Sequence, residues 1–277
     1  MQSPTKLALS AIALATAATV AAPAHADDDR FTLRVGAMQA DADISLKGAV
    51  DFNGQNYDYE TQRMDFGDET SPRIEGAFHF GNRHRLLFNW FQFEKNRRYE
   101  LGEDVSFGDT TFPAGSVAKA KAQFDVASLV YDFALVETDT VSFGLQAGAE
   151  WVELEGRTSA VAGEDSFESR DKVDGWAPVV GARFTTNTAD QKWRFTVQGQ
   201  YLDADWGEVN GDDLAGDYSG DVSRANALVE YRFTPNFGLY AGYDWFKVDV
   251  DKDLGGGATG GIDLRFKGPT AGVTVAF

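Results

Sequence analysis

The chain has 277 residues, no cysteine, and 43 acidic against 25 basic side chains, for a formal net charge of −18. The lack of cysteine excludes a disulfide scaffold, thiolate metal ligands and a Cys nucleophile. So negative a chain also speaks against nucleic-acid binding, which needs a basic face.

Residues 1–26 read as a secretory signal peptide. Lys6 supplies the positive end, Leu7 to Ala22 form a mostly apolar, Ala-rich run, and Ala24-His25-Ala26 fits a small-x-small cleavage site ahead of Asp27. A membrane anchor is the competing reading, but the run is short and weakly hydrophobic. Cleavage would leave residues 27–277 with a net charge of −19, because Lys6 leaves with the leader.

Past the leader, alternation of period two replaces any helical period. Ten strands are expected in chain order. The first, 30–39, sets Phe31, Leu33, Val35 and Ala37 on one face. Strands 73–80 and 84–97 flank the short turn Gly81-Asn82-Arg83. Strands 118–136 and 140–152 flank Glu137-Thr138-Asp139, and Val141, Phe143, Leu145, Ala147, Ala149 and Trp151 alternate along the second. Strands 175–186 and 191–202 flank 187–190, with Trp176 to Phe184 and Trp193 to Tyr201 as apolar faces. Strands 222–233 and 237–248 flank Thr234-Pro235-Asn236, and 263–277 ends on Val273, Val275 and Phe277. Long polar connections fall at 40–72, 98–117, 153–174, 203–221 and 249–262.

A tilted strand climbs roughly 2.5 Å per residue, so ten residues cross the ~25 Å apolar band of an outer membrane, whereas sandwich strands are usually nearer five or six residues. Aromatics gather at the two ends of the apolar faces, Tyr131, Trp193 and Phe233 at one and Trp151, Trp176 and Trp245 at the other, as interfacial girdles do. The expected fold is all-β, an antiparallel up-and-down transmembrane β-barrel of about ten strands, with both termini on the short-turn side. Twelve or eight strands are the alternatives. Tyr57 to Phe66 has extended character, as a further strand or a lumen insert, and Val105 to Phe112 looks like a hairpin prolonging two strands. The alternation slips at Gly268-Pro269, where a bulge or bend is expected.

The leader, the alternating strands, the turn asymmetry and the terminal Phe277 together resemble the small bacterial outer-membrane β-barrel proteins, the group that includes OmpA-type transmembrane domains and OmpW. The resemblance implies a Gram-negative outer membrane, with membrane lipid and lipopolysaccharide as surroundings. It also implies the outer-membrane assembly machinery as a partner through Phe277.

If the apolar faces meet lipid, Arg34, Glu75, Asp132, Glu150, Arg183, Arg194, Glu230, Arg232 and Asp244 point inward. Buried charges persist only when paired or hydrated, so they form either a salt-bridged filling or a thin wet conduit. Basic residues collect where strands leave the membrane, Arg97, Lys119, Lys121, Lys247 and Lys267 among them. They face lipopolysaccharide phosphates, or are ordinary solvated strand ends or lumen residues. The five long connections hold 29 of the 43 acidic residues and 7 of the 25 basic ones, an acidic outer crown where divalent cations would gather loosely.

No catalytic, metal or cofactor site is expected. The mature chain keeps only His79 and His84, both beside a short turn and without a nearby Ser, and a protease resembling the omptins would need His and several Asp at the outer mouth. Asp249, Asp251 and Asp253 do not complete a calcium loop. The expectation is therefore a non-enzymatic barrel with an envelope-structural or surface-interaction role. A narrow channel for small hydrophilic or cationic solutes is the alternative, and an outer-membrane hydrolase the third reading.

Overall fold

The computed structural model describes residues 30–52, 55–60, 64–100, 104–107, 110–162, 165–209, 212–255 and 258–277. The expected leader, 1–26, lies outside them. Thirteen strands follow in chain order: β1 (Phe31–Phe52), β2 (Gln55–Glu60), β3 (Met64–His79), β4 (His84–Glu100), β5 (Val105–Phe107), β6 (Thr110–Phe112), β7 (Val117–Glu137), β8 (Val141–Ala162), β9 (Asp165–Asn187), β10 (Trp193–Val209), β11 (Asp212–Thr234), β12 (Phe237–Gly255) and β13 (Ala258–Ala276).

Ten of them close into a ring of antiparallel neighbours: β1, β3, β4 and β7 to β13, with β13 returning to β1. Closure leaves the ring no unpaired edge, the condition for a sheet to cross lipid. The seam is tied at its end by the Phe31 N–H donating to the Phe277 carbonyl at 3.2 Å and the Phe277 N–H donating to the Phe31 carbonyl at 2.8 Å. The ten expected strands are therefore the ten of the ring. The extended stretch near Tyr57 contributes β2, which pairs with the far end of β1 outside the ring. The hairpin at 105–112 forms a separate two-stranded sheet, β5 with β6, and does not prolong β4 and β7.

Two expectations need correcting. Most of four of the five stretches read as long polar loops is strand, 98–117 being the exception: β8, for example, runs 22 residues and β9 runs 23. Such strands rise roughly 55 Å along the barrel axis, about twice the apolar band. The hydrophilic composition there reflects a sheet standing in water.

The second correction concerns Gly268-Pro269. β13 runs through both residues in unbroken register with β12, Asp244 facing Gly268 and Tyr243 facing Pro269. No bulge is present. Only the Pro269–Gln39 and Gly268–Ala40 pairings with β1 are missing, as expected beside a residue with no N–H to donate. What changes is chemistry. Below this point the lipid-facing residues Ala271 and Val273 are apolar and the inward Thr270 and Thr274 are polar. Above it, Phe266 and Leu264 are apolar and buried inside, while Arg265 and Lys267 lie on the outer face.

The same reversal recurs around the barrel. On β4, inward Arg85 and Asn89 give way to Phe91 and Phe93. On β12, outward Tyr243 and Trp245 give way to inward Phe246 and Val248. The rule is physical: in lipid the exterior must be apolar, and above lipid a barrel must bury its apolar residues inside as any soluble sheet does. The outer aromatic ring, with Trp176 at 69% exposure and Trp151 paired to it, marks the level of the switch.

The short turn before β10 gives a pH-dependent test. The Thr188 hydroxyl donates to the Asp190 carboxylate at 2.6 Å and the Lys192 N–H donates to the same oxygen at 3.2 Å. These bonds, the Thr188 one foremost, hold the exposed Asp190 carboxyl below the usual aspartate range. A lowered folded value stabilises the turn above the unfolded value near 3.9, and that increment fades as pH falls through the folded value. Unfolding midpoints of the native chain should therefore carry a small decrement below pH ~4 that Asp190→Asn lacks. Equal acid limbs for both proteins would remove the assignment.

Candidate functional site

The inward residues of the membrane-spanning section meet in three linked clusters. At the short-turn end, Glu230 of β11 is 1% exposed and accepts from Arg34 Nε at 3.0 Å, Arg232 Nε at 2.9 Å and the Thr274 hydroxyl at 3.1 Å. Arg194 stands 4.0 Å from the same carboxylate and donates to the Asn187 side-chain oxygen at 3.0 Å. On the opposite wall, Asp132 of β7, fully buried, accepts from Arg183 Nη2 at 2.9 Å, Arg183 Nε at 3.0 Å and Gln146 at 3.0 Å. Arg85 lies 3.5 Å from Asp132 and donates to Glu137 at 2.6 Å. Between the walls, Arg73 pairs with both Glu75 and Asp244, and Arg224 lies 3.6 Å from Glu75 while donating to Asn89 at 2.8 Å. Glu150 is buried, with Arg224 as the charge acting on it.

All nine residues read from the sequence as inward thus line one interior, and Arg73, Arg85, Arg224 and Glu137 join them. Parity alone carried the signal for three of these, Arg224 being in step with Glu230 and Arg232 on β11. Arg73 is two residues from Glu75 on β3, and Arg85 is the direct cross-strand partner of Asp132. Burying this many charges is tolerable because Glu75, Asp132, Glu137, Glu230 and Asp244 each pair with a guanidinium, Asp132 in bidentate fashion with Arg183, while Glu150 has only the longer-range charge of Arg224.

Around and between these clusters lies a cavity of about 130 Å³. It runs down to His79, Glu137 and Asn187, the terminal residues of their strands on the short-turn side. Its other end is closed. Phe91, Phe93, Phe124, Phe246 and Phe266 converge from β4, β7, β12 and β13 into an aromatic cap, with Phe124 and Phe266 stacked at 4.8 Å and Phe93 edge-on to Phe266 at 5.1 Å. Met38, Val126, Val152, Val179, Leu202, Val222, Val248 and Leu264 complete the layer. The sequence reading missed this cap because it took one face of every strand as lipid-facing throughout. The missed signal is the run of adjacent apolar residues where the two parities hand over, as in Trp90-Phe91 and Trp245-Phe246.

Outside, at the height of the cap, the five outer basic residues fare differently. Lys247 pairs with Asp249 at 3.0 Å and lies 3.4 Å from Asp263, and Lys47 pairs with Asp249 as well. Lys267, opposite Trp245 in the ladder, lies 3.5 Å from Asp43 and 3.6 Å from Asp41. Lys121 pairs with Glu94 at 3.1 Å, and Lys119 is exposed two residues along the same face. Arg97 shares the inner parity of Phe91 and Phe93 on β4. Asp249, read against a calcium loop, is thus engaged by two ammonium groups.

His84 sits at the short-turn end, its Nδ1 2.6 Å from the Tyr131 hydroxyl and its ring 5.3 Å from Phe133. His79 borders the cavity on that same side. The acidic outer mouth contains neither.

No protein-family model matches the sequence, and no curated protein matches it. Among solved structures the chain is similar to the outer membrane protease OmpT from Escherichia coli, at 13% identity and a TM-score of 0.57, over 94% of this chain and 100% of that one. Further likenesses are to the translocator domain of the autotransporter NalP from Neisseria meningitidis and to OprG from Pseudomonas aeruginosa. The first has 9% identity and a TM-score of 0.42 over 99% of this chain and 98% of that one. The second has 12% identity and a TM-score of 0.37 over 89% and 95%. The fold is that of the bacterial outer-membrane β-barrels.

Proposed function

We propose that the chain is a non-enzymatic barrel of the Gram-negative outer membrane, exported by its N-terminal leader, with an envelope-structural or surface-interaction role. The observation that carries this reading is the aromatic cap over an ion-paired lumen. A conducting pore needs a continuous wet path, and here five Phe rings interrupt it. Against hydrolysis stands the position of the two histidines, on the short-turn side and remote from the acidic rim. Acyl transfer needs a base beside a nucleophile, and the exposed His84 bonds a Tyr hydroxyl instead.

Around this body, Lys119, Lys121, Lys247 and Lys267 stand at the level where lipopolysaccharide phosphates would lie, and the acidic extensions would collect divalent cations. Phe277 closes the barrel seam and is the natural handle for the assembly machinery. In planar bilayers the purified native protein should give no steady openings. Ion-selective openings of the unmodified chain would instead favour the narrow-channel reading, for which the cavity beneath the cap supplies the lower half of a path.

A further inference from the structure

We propose that the lumen cavity is a binding site for a small oxyanion of the phosphate or sulfate class, entered from the short-turn side. The inference goes beyond the structural role above and holds whether or not the cap ever opens. Glu230 is already held by Arg34 and Arg232 through hydrogen bonds at 3.0 and 2.9 Å, so the contact of Arg194 at 4.0 Å is the third on one carboxylate. Arg194 is the most exposed arginine of that cluster, its side chain 26% accessible against 18% for Arg34 and 14% for Arg232. It borders the cavity with part of its guanidinium left over.

Arg85, across the cavity, makes its bonds to Glu137 and Ser142 through its two terminal nitrogens, at 2.6 and 3.1 Å. Its Nε–H is buried and has no acceptor, and the Asn89 side-chain nitrogen is likewise a buried donor without one. Both residues border the same cavity. A buried N–H left unmatched costs free energy that a ligand acceptor recovers. Two carboxylates, Glu75 and Glu137, also face the space, as do the unmatched acceptors of Gln200 and Asn226. Glu137 is tied to Arg85 and Glu75 to Arg73 through Oε1, whereas Glu75 Oε2 has no hydrogen-bond partner and lies 3.9 Å from Arg34. Arg34, Arg85, Arg183, Arg194 and Arg224 line the space against those two carboxylates, so the charge facing it is positive, and a planar guanidinium with free N–H groups selects an oxyanion over a halide.

The test is calorimetric titration of the refolded barrel in zwitterionic detergent with sodium sulfate and with inorganic phosphate, at constant ionic strength set by chloride. Saturable binding is expected, weakened roughly 10-fold or more by Arg194→Gln, since a charge-assisted bond is lost. Arg194→Lys should recover part of the affinity, and Lys119→Gln on the outer surface should leave it unchanged. Heat-modifiable gel migration confirms that each variant is folded. Absence of saturable heat with the native protein overturns the site, and so does equal affinity for native and Arg194→Gln barrels.

Discussion

Replacing Phe124 and Phe266 together with alanine should turn a silent barrel into a conducting one. The two rings are 1% and 2% exposed and stacked on each other. Phe266 also meets Phe91 at 6.3 Å, Phe93 at 5.1 Å and Phe246 at 6.3 Å, so it is the hub of the cap. Each Phe→Ala change should cost about 3–5 kcal/mol, in lost burial and in the void left behind. That void would not stay dry. An apolar cavity enclosed on all sides can remain empty, but this one would join the polar cavity below to the hydrated sheet above, and water enters where polar partners stand at both ends. The double variant should therefore show steady openings in planar bilayers where the native chain shows none. Leu145→Ala, on the lipid-facing side at 48% exposure, should stay silent. A double variant that folds and stays silent would show that the seal lies elsewhere along the axis.

Glu230→Ala should be among the most destabilising single changes in the membrane-spanning section. It would leave Arg34, Arg194 and Arg232 with their shared carboxylate gone, and the Thr274 hydroxyl without its acceptor. Removing one member of a buried charge network generally costs about 3–5 kcal/mol, because the remaining charges are neither hydrated nor neutralised. The urea midpoint in detergent should fall accordingly. Pairing the change with Arg232→Met should recover part of the loss, since it removes one of the stranded cations, and a double-mutant cycle isolates that coupling. A loss below ~1 kcal/mol for Glu230→Ala would mean that water already reaches the cluster and screens it.

Both variants rest on features that differ in how far the sequence announces them. The ring was legible because lipid imposes a clean alternation: Trp193, Phe195, Val197 and Tyr201 on one parity and Arg194, Thr196, Gln198 and Gln200 on the other leave little freedom. The inward charges followed from the same parity, and Glu230, Asp132 and Arg183 stand where it puts them. Which carboxylate meets which guanidinium was not legible, because Arg34 and Glu230 are 196 residues apart and only the ring's curvature brings them face to face. The cap was hidden for another reason. Its residues have the composition of a lipid face but the parity of the lumen, and a strand read as having one apolar side throughout turns that handover into an apparent slip at Gly268-Pro269.

The seam between β1 and β13 has a kinetic consequence. Its pairing joins Phe31 to Phe277, so the residues that complete the ring are the most distant in the described chain. Every other ring contact links consecutive ring strands through a turn, a loop or a small inserted hairpin, whereas the seam must bring ends about 250 residues apart together, at an entropic cost on the order of 5 kcal/mol for a free chain. Contacts of that separation form late. The curved sheet must therefore be largely assembled, hairpin by hairpin, before its two edges meet. Until they do, β1 and β13 are open edges able to pair with a strand from elsewhere. The last step of folding is thus the one that removes the two open edges of the ring.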